Sequence, residues 1–155
     1  MPKKLWIASD HAGFELKKYL VSKVQSGSSS VGSIEWVDVG PSGTESTDYP
    51  DWAKKLCEIV SQKSESERLE PCGVLICGSG VGMSIAANRF KGIRAVLALR
   101  EDIAHFSRAH NASNVLCLGS RFLTHDEAQS ILLRWLGSPF EAGRHQNRID
   151  KIERT

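Results

Sequence analysis

The 155-residue chain has no long apolar run, no C-x-x-C pair and no block of like charge. Each absence removes a class of function. Without about eighteen consecutive apolar residues there is no candidate membrane-spanning helix. The opening "MPKKLWIASDH" meets an Asp and a His after a handful of apolar residues, so it lacks the uninterrupted apolar stretch of a secretory signal. Cys57, Cys72, Cys77 and Cys117 stand apart, with no histidine near them at zinc-finger spacing. A structural zinc is therefore not expected, and the thiols read as reduced in a cytoplasmic protein. A formal net charge of +2 gives no broad field for nucleic acid or a membrane surface. Only "GRHQNRIDKIERT" at the end is locally basic.

What remains is an ordinary globular composition, 41% hydrophobic and 25% charged, in a length that suits one domain over residues 1–155. Short β-rich runs, "KLWIAS", "IEWVDVG", "GVLICG", "IRAVLAL" and "NVLCLG", alternate with segments of helical periodicity. Those segments are "FELKKYLVSKV", "DYPDWAKKLCEIVSQK" with Asp48 as a cap, "MSIAANRF", "EDIAHFSRAHN" and "AQSILLRWL". Thr124 and Glu127 predict a capping box ahead of the last. Strands separated by helices imply parallel crossovers. The expected fold class is α/β: a doubly wound, Rossmann-like, five-stranded parallel sheet with helices on both faces and a C-terminal helical tail over 137–155. "SGSSSVGS" and "SESERLEP" read as surface loops.

In such sheets ligands bind beyond the carboxyl ends of the strands. That rule gathers Asp10, His11, the stretch Cys77 to Gly82, and Arg121. Gly78, Gly80 and Gly82 allow sharp turns and bring amide N–H groups close to a ligand, and the helix that follows favours an anion. A tight strand-to-helix turn explains the glycines equally well, and neither the P-loop nor the dinucleotide fingerprint fits. Cys77 beside this loop is placed to act as nucleophile or proton acceptor. Cys57 and Cys117 read as inert core thiols, and Cys72 has no assigned role. A cysteine phosphatase would need an arginine where Met83 stands. Asp10 and His11 suit sugar hydroxyls or acid–base work. His110 and Asn111 close a helix, where capping alone accounts for them, with Asn suited to a left-handed end. Arg144 and Arg148, four apart, share a helix face; for them, as for Arg121, plain solvation remains an alternative to phosphate binding.

Taken together, "ASDHAGFELK", "TDYPDWA", "ICGSGVGMSIAANRFKGIRA", "SRAHNASNVLCLGSR" and "GRHQNRI" resemble the successive motifs of the type B ribose-5-phosphate isomerases. These belong to the sugar-phosphate isomerases that include allose- and galactose-phosphate isomerases. The resemblance implies interconversion of ribose 5-phosphate and ribulose 5-phosphate, in the non-oxidative branch of the pentose phosphate pathway, through an enediolate and without metal or organic cofactor. It implies Cys77 as general base, His110 with Ser79 opening the furanose ring, and the backbone of Gly78, Gly80, Val81 and Gly82 holding the enediolate oxygens. Asp10, His11, Tyr49 and Asn111 match sugar contacts, and Arg121, Arg144 and Arg148 match phosphate contacts. It also implies a homodimer, or a pair of dimers, in which the 137–155 tail completes the partner's site. Relatives without the cysteine carry a glutamate base where this chain has Met83, and Ser79 often stands as threonine. Isomerisation of a six-carbon sugar phosphate and a non-catalytic sugar-phosphate or nucleotide-binding module are the competing readings.

Overall fold

The computed structural model describes residues 3–25 and 30–155, so residues 26–29 of the "SGSSSVGS" stretch lie outside the described residues. In order come β1 (Lys3–Ser9), α1 (Phe14–Lys23), β2 (Ile34–Gly40), α2 (Tyr49–Ser61), α3 (Glu65–Arg68) and β3 (Gly73–Cys77). They are followed by α4 (Val81–Ala87), β4 (Ala95–Leu97), α5 (Glu101–Asn111), β5 (Val115–Gly119), α6 (His125–Leu136) and α7 (Arg144–Glu153). All strand pairs are parallel, in the order β2-β1-β3-β5-β4. The expected doubly wound sheet is what forms.

Side-chain alternation along the central strands assigns the two faces. Leu5, Ile7, Val74, Ile76, Leu116 and Leu118 pack with α1, α6 and Ala104 of α5. Ala8, Leu75, Cys77, Val115 and Cys117 point the other way, into α2 and α4. Burying one such Leu or Ile stabilises the fold by about 1.5–3 kcal/mol. Because every residue of β3 and β5 is buried, these strands read as continuous apolar runs rather than as polar–apolar alternation.

The chain leaves β1 towards β2 on one side and proceeds from β3 on the other, so the strand order reverses between β1 and β3. A crevice opens there at the carboxyl ends. Asp10 follows β1 and Cys77 ends β3, on either side of it. Lys17 supports the region from below: its buried ammonium donates to Asp38 Oδ1 at 2.8 Å and to the carbonyl of Pro41 at 2.6 Å, holding the turn after β2.

Several local expectations change. The capping box of Thr124 and Glu127 forms as predicted. A second one, Ser64 with Glu67, folds α3 inside "SESERLEP", which therefore carries a short surface helix. Asp48 is the N-cap of α2 without a side-chain capping bond. Helix α4 begins at Val81, two residues before Met83, and is only seven residues long, so close amides matter more at this loop than a helix dipole. The left-handed residue closing α5 is Ala112 (φ 45°), not Asn111. Ala112 is fully buried, where an amide side chain would lack partners.

Candidate active site

The crevice is a cleft of about 420 Å³ lined by Asp10, His11, Tyr49, Cys77, Gly78, Ser79, Val81, Gly82 and Arg121, together with Ala12 and Ile85. Nine residues predicted from sequence thus meet in one place. A larger groove of about 920 Å³ lies beside the strand starts, between α3 and α7. Its polar wall is already engaged, since Arg94 pairs with Glu153 and donates to the carbonyl of Arg68 at 2.7 Å. The smaller cleft is where unspent chemistry converges.

At its floor, Cys77 Sγ accepts the Gly80 N–H at 3.1 Å. The Val81 N–H goes to Ser79 Oγ at 3.2 Å, which leaves the hydroxyl hydrogen of Ser79 free to be donated. Two of the loop's amides are therefore spent inside the protein. Asp10 is buried, and its Oδ1 takes the Gly13 N–H at 3.0 Å, closing the turn into α1. His11 Nδ1 accepts the Thr47 N–H at 3.2 Å, which fixes the tautomer that presents Nε2–H. Trp52 in turn donates to Thr47 Oγ1 at 3.0 Å. Thr47 was not singled out from sequence, because only folding brings it to His11. The Arg121 guanidinium lies against Gly78, with the Arg121 N–H tied to the Gly78 carbonyl at 2.9 Å.

Two glycines shape the loop differently. Gly80 has φ 75°, and a Cβ there would stand 2.9 Å from the Leu118 carbonyl carbon. At Gly82 the three atoms nearest a Cβ all belong to the Tyr49 side chain, the closest being Cζ at 2.5 Å. Gly80→Ala is therefore expected to destabilise the protein by about 1–3 kcal/mol, seen as a lower melting temperature. Gly82→Ala is expected to keep the melting temperature while displacing Tyr49, lowering kcat/KM roughly tenfold. The reverse pattern in thermal melts and kinetics would contradict this assignment.

Of the remaining predicted residues, Gly80 does not line the cleft and spends its N–H on Cys77 within the loop, and the other four lie elsewhere. His110 and Asn111 end α5, and Arg144 and Arg148 lie on α7, where they form a second group. His110 stacks on His145 with ring centroids 4.3 Å apart and an interplanar angle of 10°. Glu141 Oε2 lies 3.8 Å from Nε2 of both. Among the described residues this is the one set of metal-type donors that converges, within 4.8 Å. Parallel rings aim their in-plane lone pairs side by side rather than at one point, so the set reads as a stack.

A family model described as Ribose/Galactose Isomerase matches residues 5–152. The chain belongs to that family. The ribose-5-phosphate isomerase B of Escherichia coli K12 is 42% identical over 151 residues, covering 97% of this chain and 94% of the relative. A probable ribose-5-phosphate isomerase B from Mycoplasma genitalium is likewise 42% identical, covering 97% and 93%. The crystal structure of ribose-5-phosphate isomerase B from Mycoplasma genitalium, with bound ribulose-5-phosphate, superposes with a TM-score of 0.85 at 41% identity. It covers 99% of this chain and 96% of that one.

All four cysteines are free and buried. Burial pushes Cys57 up to about 12 and Cys72 to about 11, and Cys117 well above the usual thiol range. Only Cys77 lines the cleft. Iodoacetamide at pH 8 is expected to label one cysteine, Cys77, as read by peptide mass spectrometry; labelling of Cys57 or Cys117 in the folded protein would contradict this. Among the described residues no helix is long and apolar enough to cross a membrane.

Proposed function

We propose that this chain interconverts ribose 5-phosphate and ribulose 5-phosphate, with Cys77 moving a proton between C2 and C1 through an enediolate. The observation that carries the reading is the Cys77 sulfur on the cleft floor, held by the Gly80 amide at 3.1 Å and facing a loop of closely approachable backbone. A thiolate formed there meets that amide as its charge develops, and it can return the proton to the neighbouring carbon. With the Gly80 and Val81 amides spent internally, the enediolate oxygens fall to the amides of Gly78, Ser79 and Gly82. Asp10, His11 through Nε2–H, and Tyr49 hold the sugar hydroxyls.

Ring opening requires an acid–base group at the furanose oxygens, and His110 serves with the Ser79 hydroxyl. His110 and Asn111 lie in the second group, so a second copy of the chain supplies them to each cleft, together with Arg144 and Arg148 for the phosphate opposite Arg121. The tail over 137–155 then serves the partner's site. Exposed Val81 and Ile85 on α4 and exposed Leu99, Ile103 and Phe106 around α5 support this, because apolar side chains of that size suit coverage by another protein surface. Arginine forks match phosphate bidentately, which explains a basic tail without nucleic acid.

The test is kcat/KM for ribose 5-phosphate against allose 6-phosphate, with the oligomeric state measured by light scattering. At least about a tenfold preference for the pentose, in a dimer or larger assembly, is expected. A preference for the six-carbon sugar would reassign the substrate, and an active monomer would refute the shared site.

A further inference from the structure

Outside the cleft, His110 stacks on His145 with Glu141 beside both, and this geometry does more than cap a helix. The His145 side chain is only 8% exposed, whereas that of His110 is 38% exposed. The segment between α6 and α7 is tied to α5 beside them by the Glu141 N–H, which donates to the Ala109 carbonyl at 3.0 Å, and its own turn into α7 is closed by the His145 N–H on the Ala142 carbonyl at 3.0 Å. Left-handed Ala142 (φ 54°) and Gly143 (φ 57°) then turn the chain into α7, so His145 meets the His110 ring face to face. Phe106 approaches the same ring at 5.1 Å.

We infer that His145 is a positioning residue whose imidazole serves as a fixed platform for the ring-opening His110, with the Glu141 carboxylate 3.8 Å from the Nε2 of each ring; this rests on the proposed role of His110. The platform sits between Arg144 and Arg148 in sequence, so the phosphate-binding arginines and the orientation of His110 belong to one turn of α7. Binding phosphate and aiming the acid–base group become a single structural event.

The electrostatics fit this role. Burial, then the charges of His110, Arg144 and Arg148, hold His145 below the ordinary histidine range, with Glu141 opposing. A neutral His145 can stay stacked when His110 takes up a proton from the sugar, where two imidazolium rings would repel. Glu141, facing both rings, offsets the charge on whichever is protonated.

The chemistry supplies a test that separates positioning from general damage. Ribose 5-phosphate must be opened before its C2 proton can move. Ribulose 5-phosphate has its C5 oxygen esterified and is already open. Solvent deuterium exchange at C1 of ribulose 5-phosphate therefore needs the Cys77 base and no ring opening. His145→Ala is expected to lower kcat on ribose 5-phosphate roughly 10- to 100-fold, the cost of a misaimed catalytic group, while C1 exchange stays within about threefold of wild type. His145→Phe keeps a flat ring and is expected to recover most of the lost turnover. Unchanged kcat in His145→Ala, exchange falling in step with turnover, or a Phe variant as impaired as Ala would overturn the inference. Failure of the underlying role of His110 shows separately, as undiminished turnover of ribose 5-phosphate in His110→Ala.

Discussion

Replacing Cys77 by alanine is expected to lower kcat on ribose 5-phosphate by about 10³-fold or more, within the range for removal of a general acid–base group. Circular dichroism and the melting temperature should stay close to wild type. The side chain is small and its neighbours Ala8, Met83 and Cys117 belong to a well-filled layer between the sheet and α2 and α4, so deleting one sulfur leaves little void. Cys77→Ser tests the chemistry more sharply. It keeps an atom to accept the Gly80 N–H, yet a hydroxyl is far too weak an acid to cycle as base, so it should be nearly as inactive as alanine. Substantial turnover in both variants would place the base elsewhere. Met83, whose thioether cannot accept a proton, cannot take over.

Mixing two inactive variants should restore activity, which is the second large effect. A Cys77→Ala subunit retains His110, Arg144 and Arg148, and a His110→Asn subunit retains Cys77 and its loop. If each cleft is completed by the partner's second group, a hybrid dimer holds one intact site and one doubly defective site. Random exchange of equal amounts makes half the dimers hybrids, so the mixture should recover about a quarter of wild-type activity. The expectation follows from the separation of the two groups on one chain: the cleft residues end β1 and β3, and the others end α5 and open α7. No recovery, with subunit exchange demonstrated by mass spectrometry, would mean that each chain builds its site alone.

The sheet was legible because its central strands are apolar throughout and break at glycine, aspartate or serine. β3 and β5 carry their strand character in "GVLIC" and "VLCLG". The edge strand β4 is shorter than "IRAVLAL" suggests, spanning Ala95–Leu97, because the Ile93 N–H turns back to the Phe90 carbonyl and Arg94 is held by the side chain and N–H of Asn114. Helix α3 could have been found from Ser64 and Glu67, whose spacing is that of a capping box, but it lies in a stretch too polar to show periodicity. The cleft was legible from topology alone: strand ends at a reversal of strand order collect Asp10, His11 and Cys77 whatever their chemistry. Thr47, Glu141 and His145 were not. Their contacts, Thr47 amide to His11 and Glu141 and His145 to His110, join residues far apart in sequence, and no spacing rule encodes them. Likewise, composition leaves Arg144 and Arg148 as exposed helix cations. Their assignment to phosphate came through resemblance, and their distance from the cleft turns that assignment into a statement about two subunits.

The most direct measurement is the conversion of ribose 5-phosphate by the purified wild-type protein, followed by NMR in the presence of a strong chelator. Steady formation of ribulose 5-phosphate to an equilibrium mixture that can be approached from either sugar is expected. No conversion, even with enzyme stoichiometric to substrate, would contradict it.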